Sequence, residues 1–81
     1  MFYVYCIKSE SHPDQTYIGL TNNVDNRLAT HNAGQSPHTS KWAPWKLVFF
    51  VAVMTESKAI ELEKYCKIGS GKTFAQKHLI A

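Results

Sequence analysis

Phe2-Tyr3-Val4-Tyr5-Cys6-Ile7 and Thr16-Tyr17-Ile18-Gly19-Leu20 flank the polar segment Glu10-Ser11-His12-Pro13-Asp14-Gln15. Both apolar runs are short and rich in aromatic and β-branched residues, which favour a pleated strand. Pro13-Asp14 supplies turn chemistry between them, so the stretch reads as an antiparallel hairpin. Beyond it, Thr21 or Asn22 can cap a helix running to about Ala33, and Gly34 is placed to end that helix. Gln35 to Pro44 is loop-like, and Trp42 or Trp45, if exposed, would serve as an interface or a lid. Trp45 to Met54 is the most apolar strand, and its apolar residues on both faces predict a central, covered position. Ser57 can cap a second helix from about Lys58 to Ile68, Gly69-Ser70-Gly71 breaks it, and Lys72 to Ile80 reads as a final short helix. The order β-β-α-β-α-α predicts an α/β (α+β) fold with one small three-stranded antiparallel sheet flanked by helices.

The composition sets the class. Eighty-one residues are expected to form one domain over 1–81, because half that length buries too little core to stand alone. An apolar fraction of 44% with 19% charged residues fits a globular chain. The apolar run Leu47 to Met54 is far short of the roughly 20 residues of a membrane helix. The start of the chain lacks the basic-then-apolar pattern of a signal peptide, so a cytoplasmic location is expected. Cys6 and Cys66 have neither zinc-site spacing nor disulfide-scaffold density, and read as buried, reduced thiols. The net charge of +3 comes from eight lysines and one arginine against six acids, which permits nucleic-acid binding without establishing it. The single arginine, Arg27, suggests a place that needs a fixed guanidinium fork.

Four positions can meet in a site: Tyr5, Tyr17, Arg27 and Glu63. Tyr5 and Tyr17 lie on adjacent strands, and Gly19 beside them suggests close approach of another group. Ordinary sheet packing explains strand tyrosines equally well. On the first helix Val24, Leu28 and His31 share one arc with Arg27 at its edge, and Arg27 and His31 are i,i+4 neighbours. A cation and an imidazole there suit a phosphate, while a solvated helix edge is the plain alternative. On the second helix Ala59, Ile60, Leu62 and Cys66 define the inward arc, and Glu63 falls between Ala59 and Ile60. A carboxylate on such an arc needs a partner, either a divalent cation or Lys67 four residues on. Gly69-Ser70-Gly71-Lys72-Thr73 is not a P-loop: Cys66 stands where the first glycine is required, and the segment follows a helix rather than a strand.

These residues resemble the GIY-YIG nucleases, above all the small stand-alone bacterial branch related to the amino-terminal nuclease domain of the excision-repair protein UvrC. The first signature is Tyr3-Val4-Tyr5 and the second Tyr17-Ile18-Gly19, with eleven residues between Tyr5 and Tyr17. Arg27 stands ten residues after Tyr17, His31 completes Arg-x-x-x-His, and Glu63 matches the helix glutamate. The stretches His38 to Trp42 and Leu62 to Lys72 are similar to the stand-alone branch, so the resemblance covers nearly the whole chain. Two departures are visible. Tyr3 replaces the glycine of the first signature, and Lys77 to Ala81 contain no asparagine, which some members carry near the domain's end.

The resemblance implies a metal-dependent endonuclease cleaving DNA or RNA, with catalytic positions Tyr5, Tyr17, Arg27, His31 and Glu63. Glu63 would bind a single divalent cation, Mg²⁺ or Mn²⁺, and Arg27 would clamp the phosphate. Tyr5 is the candidate base, Tyr17 would orient water or phosphate, and His31 would assist proton transfer or contact the backbone. Lys41, Lys67 and Lys72 are candidate nucleic-acid contacts. The alternatives are a non-catalytic nucleic-acid-binding module that keeps the fold, and a protein-interaction adaptor.

Overall fold

The computed structural model describes residues 1–35, 37 and 39–67. Over them the chain forms β1 (Phe2–Ser9), β2 (Thr16–Thr21), α1 (Val24–Asn32), a 3-10 turn (Ser40–Trp42), β3 (Trp45–Val53) and α2 (Glu56–Lys67). The expected hairpin, crossover helix, third strand and second helix are all present. The expected last helix and the glycine-rich segment before it lie outside the described residues. Among the described residues, no helix is long and apolar enough to cross a membrane.

The strands form one antiparallel sheet in the order β2-β1-β3. The expectation of a central β3 is therefore wrong, since β1 is the middle strand. β1 pairs on both sides and buries Val4, Tyr5, Cys6 and Ile7, whereas Phe50 and Val51 of β3 are exposed. An apolar run does not distinguish a doubly covered strand from an edge strand whose large side chains pack on one side only.

Strand alternation puts Val4 and Cys6 on one face of β1, and Tyr5 and Ile7 on the other. α1 lies on the Tyr5 face, where Leu28 packs against a core of Tyr5, Ile7 and Trp45. α2 supplies the buried Ala59 and Cys66, and Cys66 stands near enough to Cys6 to affect its ionisation. Both thiols are free and buried, and burial pushes Cys6 up to about 11, so neither is a nucleophile at neutral pH. A bulge between β1 and β3 pairs Cys6 with Phe49 but Ile7 with Leu47, leaving Val48 out of register. The extra residue brings Leu47 and Phe50 to the same face as Tyr5.

The helix starts differ from expectation in detail. Asn23, not Thr21 or Asn22, caps α1, its Oδ1 accepting the Asn26 N–H at 3.0 Å. Thr21 is the last residue of β2 and accepts the Asn23 N–H instead. Thr55, not Ser57, caps α2 by accepting the Lys58 N–H at 3.2 Å. Gly34, with φ 75°, follows α1 as expected. Trp45 is buried (4% exposed) and Trp42 half-buried against the core, so neither is a free lid.

Asn32, the last residue of α1, fixes the entry to β3. Its Nδ2 donates to the Trp45 carbonyl and its Oδ1 accepts the Trp45 N–H. Asn32→Ala is expected to cost about 2 kcal/mol, because both backbone groups lose partners at a part-buried position. Urea unfolding with an unchanged midpoint would contradict this.

Candidate active site

The site is assembled on Tyr5. The central strand buries its ring to 2% exposure, and the ladder places it opposite Gly19 of β2. A Cβ at position 19 would come within 3.0 Å of the Tyr5 hydroxyl and ring. Gly19 is thus the gap that lets the ring lie across the hairpin, the close approach that its place in a strand suggested.

The Tyr5 hydroxyl is held from α1. Arg27 Nε donates to Tyr5 Oη at 3.4 Å, and Oη is 2.9 Å from His31 Nε2. His31 Nδ1 is in turn 2.7 Å from Thr39 Oγ1. Guanidinium only donates, so the phenol oxygen accepts from Arg27, and in one of the two His31 tautomers its own proton points to Nε2. In that tautomer the imidazole carries its proton on Nδ1 and donates to Thr39. The result is a directed chain, Arg27 to Tyr5 to His31 to Thr39.

Burial fixes the resting protonation states. It raises the Tyr5 pKa above 10.0, only partly opposed by the Arg27 hydrogen bond, with Tyr17 and Glu63 adding to the rise. Burial and the Arg27 charge lower His31 below its ordinary 6.5. Tyr5 therefore rests as a phenol beside a neutral imidazole. The Tyr5 bond raises Arg27, which stays a cation.

The His31 shift carries a stability consequence. Its folded pKa lies below its unfolded one, so between the two values the unfolded chain binds the extra proton. The contribution is complete above about pH 6.5 and is lost as pH falls toward the folded value. Urea midpoints should decline across that acid window, and His31→Gln should flatten this part of the profile. An identical decline in the variant would refute the assignment.

Tyr17 closes the other side of the imidazole. Its ring centroid lies 5.1 Å from His31 and 6.3 Å from Tyr5. Lys67 Nζ sits 5.8 Å from the Tyr17 ring centroid and 3.8 Å from Glu63 Oε2. Glu63 is half-buried and near enough to Tyr5 to affect its ionisation. The inward arc of α2 is turned slightly from expectation: Ile60 is exposed while Glu63 is partly covered.

Tyr5, Tyr17, Arg27 and His31 form one cluster, with Glu63 and Lys67 along its border. Lys41 lies outside it, its Nζ 5.2 Å from the Trp42 ring. Lys72 lies outside the described residues. Thr39, which holds the far side of His31, carries no sequence signal of that role. It sits in an irregular loop where no periodicity marks a buried hydroxyl.

Among the described residues, no three His, Cys, Asp or Glu side chains gather as a metal cage. Glu63 nonetheless suits a hard divalent cation. It is a carboxylate whose one ion-pair partner among the described residues is 3.8 Å away, beyond hydrogen-bond length. Mg²⁺ commonly takes one or two carboxylates and completes its shell with water and substrate phosphate.

A phenol, an arginine, an imidazole and a carboxylate gathered on a small antiparallel sheet are residue types suited to phosphoryl chemistry. Comparison with protein families matches the GIY-YIG catalytic domain over residues 1–76. The chain belongs to the GIY-YIG family, whose catalytic domain it matches. It is 39% identical over 69 residues to a structure-specific endonuclease subunit SLX1 homolog of Giardia intestinalis, covering 78% of this chain but 19% of that protein. It is 37% identical over 62 residues to a UPF0213 protein of Staphylococcus haemolyticus, covering 75% of this chain and 73% of the relative. A UPF0213 protein of Clostridium perfringens is 35% identical over 68 residues, covering 83% and 71%.

Proposed function

We propose that this chain, acting as one domain, hydrolyses phosphodiester bonds in nucleic acid, with DNA as the substrate, selected by its structure rather than its base sequence. The observation that carries this reading is the Tyr5 hydroxyl held between the Arg27 guanidinium and a neutral His31, with Glu63 close enough to influence its ionisation. The choice of DNA structure rests on the resemblance to a structure-specific endonuclease subunit.

Glu63 would hold a divalent cation, Mg²⁺ or Mn²⁺, which supplies Lewis-acid polarisation of the phosphate when bound. Arg27 binds the scissile phosphate and stabilises its growing negative charge. Tyr5 accepts a proton from the attacking water as its own proton passes to His31 Nε2. This concerted transfer avoids a free phenolate, which burial disfavours. Thr39 accepts the Nδ1 hydrogen bond throughout and fixes the imidazole's orientation. Tyr17 packs against that imidazole and orients the water or phosphate. Lys67 balances Glu63 before substrate binds and contacts the nucleic-acid backbone afterwards.

The test is cleavage of labelled single-stranded, duplex and branched DNA, and of RNA, with Mg²⁺ or Mn²⁺. Cleavage is expected to stop with a chelator and return when metal is restored, and to be fastest on branched DNA. Salt-sensitive binding with no cleavage of any substrate would replace the proposal with a non-catalytic nucleic-acid-binding module.

A further inference from the structure

A groove of about 370 Å³ opens beside the phenol cluster, lined by Tyr3, Phe50, Leu47 and Val24, with Asn22 and Asp25 among its polar residues. Its volume falls in the lower range of small-ligand sites. Tyr3 is two residues from Tyr5 on the same strand face, about 7 Å along the chain. Phe50 is the ladder partner of Tyr5 and meets the Tyr3 ring edge-on, with centroids 5.8 Å apart. Phe50 is 52% exposed. The groove therefore neighbours Tyr5 through Tyr3 and Phe50, and presents an aromatic surface.

We propose that this groove stacks one unpaired nucleobase next to the scissile phosphate, favouring bases with an exocyclic amino group; the inference rests on the nuclease reading. A flat π-surface matches an exposed aromatic ring. The Asp25 carboxylate repels a phosphate but accepts a hydrogen bond from an amino group, as carboxylates do from cytosine. Asn22 adds an amide with both donor and acceptor. Thymine and uracil have no exocyclic amino group to offer Asp25. Tyr3, which replaces the glycine of the family's first signature, thereby gains a role in substrate binding.

The experiment measures binding of short oligo-dA, oligo-dC and oligo-dT without divalent metal, alongside aromatic NMR of the Tyr3 and Phe50 rings. Phe50→Ala is expected to weaken oligo-dC binding about tenfold. Wild type should bind oligo-dA and oligo-dC more tightly than oligo-dT, and Asp25→Asn should reduce that preference. Both rings should shift on adding oligo-dC. Because Phe50 is half-exposed, its loss should lower the unfolding midpoint only slightly and leave the protein folded. Oligonucleotide binding with unshifted rings and unaltered Phe50→Ala affinity overturns the inference, as does self-association of the protein that Phe50→Ala abolishes. Cleavage is assayed separately with Mg²⁺. Cleavage with silent rings removes the base site and leaves the nuclease, while shifted rings without cleavage do the reverse.

Discussion

Arg27→Ala is expected to slow metal-dependent phosphodiester cleavage by about 10²–10³-fold, the usual effect of deleting one charge-stabilising donor. The fold should barely notice. Arg27 is exposed, and its link to the protein is a long 3.4 Å bond to Tyr5, so the stability change should stay within about 0.5 kcal/mol. The loss should appear in kcat as well as KM, because the guanidinium is assigned to charge that builds in the transition state. Arg27→Lys should recover only part of the rate, since lysine keeps the charge but not the planar fork. Arg27 also lowers the His31 pKa, so its removal lets that value rise. The acid limb of the rate profile, where His31 becomes protonated and can no longer accept the Tyr5 proton, should therefore move to higher pH. A rate within threefold of wild type would sink the phosphate-clamp assignment.

Much of this arrangement is legible in the residues. The hairpin is written in two apolar runs around Pro13-Asp14, and helical phase placed His31 on the buried arc with Arg27 at its edge. Helical phase also marks Glu63 as an inward-leaning carboxylate, and Lys67, its plain alternative partner, is the one it pairs with among the described residues. What escaped has identifiable physical causes. The position of β3 depends on which strand pairs twice, a long-range choice that its own hydrophobicity does not encode. Asn23 and Thr55 displaced equally good capping residues one or two positions away, because local backbone course decides between chemically similar caps. Thr39 is the clearest omission, since a hydroxyl in an irregular loop becomes informative only once the chain has folded beside His31.

The second large effect concerns a residue with no side chain. Gly19→Ala is expected to lower cleavage by about 10²–10⁴-fold, as much as losing the Tyr5 hydroxyl itself. The backbone is not the obstacle, because Gly19 is not among the glycines with positive φ. The obstacle is the Tyr5 ring, whose hydroxyl and two ring carbons would all lie within 3.0 Å of the new methyl. That ring is buried and its hydroxyl is tied to Arg27 and His31, so it moves only by leaving both partners. Overpacking of this kind costs about 1–3 kcal/mol of stability. Gly34→Ala provides the contrast: its φ of 75° strains an alanine, but the nearest atom to the added Cβ, Ser40 Cβ, is at an ordinary 3.8 Å. It should lower stability and leave the rate per folded molecule alone. Gly19 is a positioning residue, which makes its effect conditional on Tyr5. In a Tyr5→Phe background the hydroxyl is already absent, so adding Gly19→Ala should cost little further activity. If the two losses multiply instead, Gly19 acts on cleavage by some route other than the phenol.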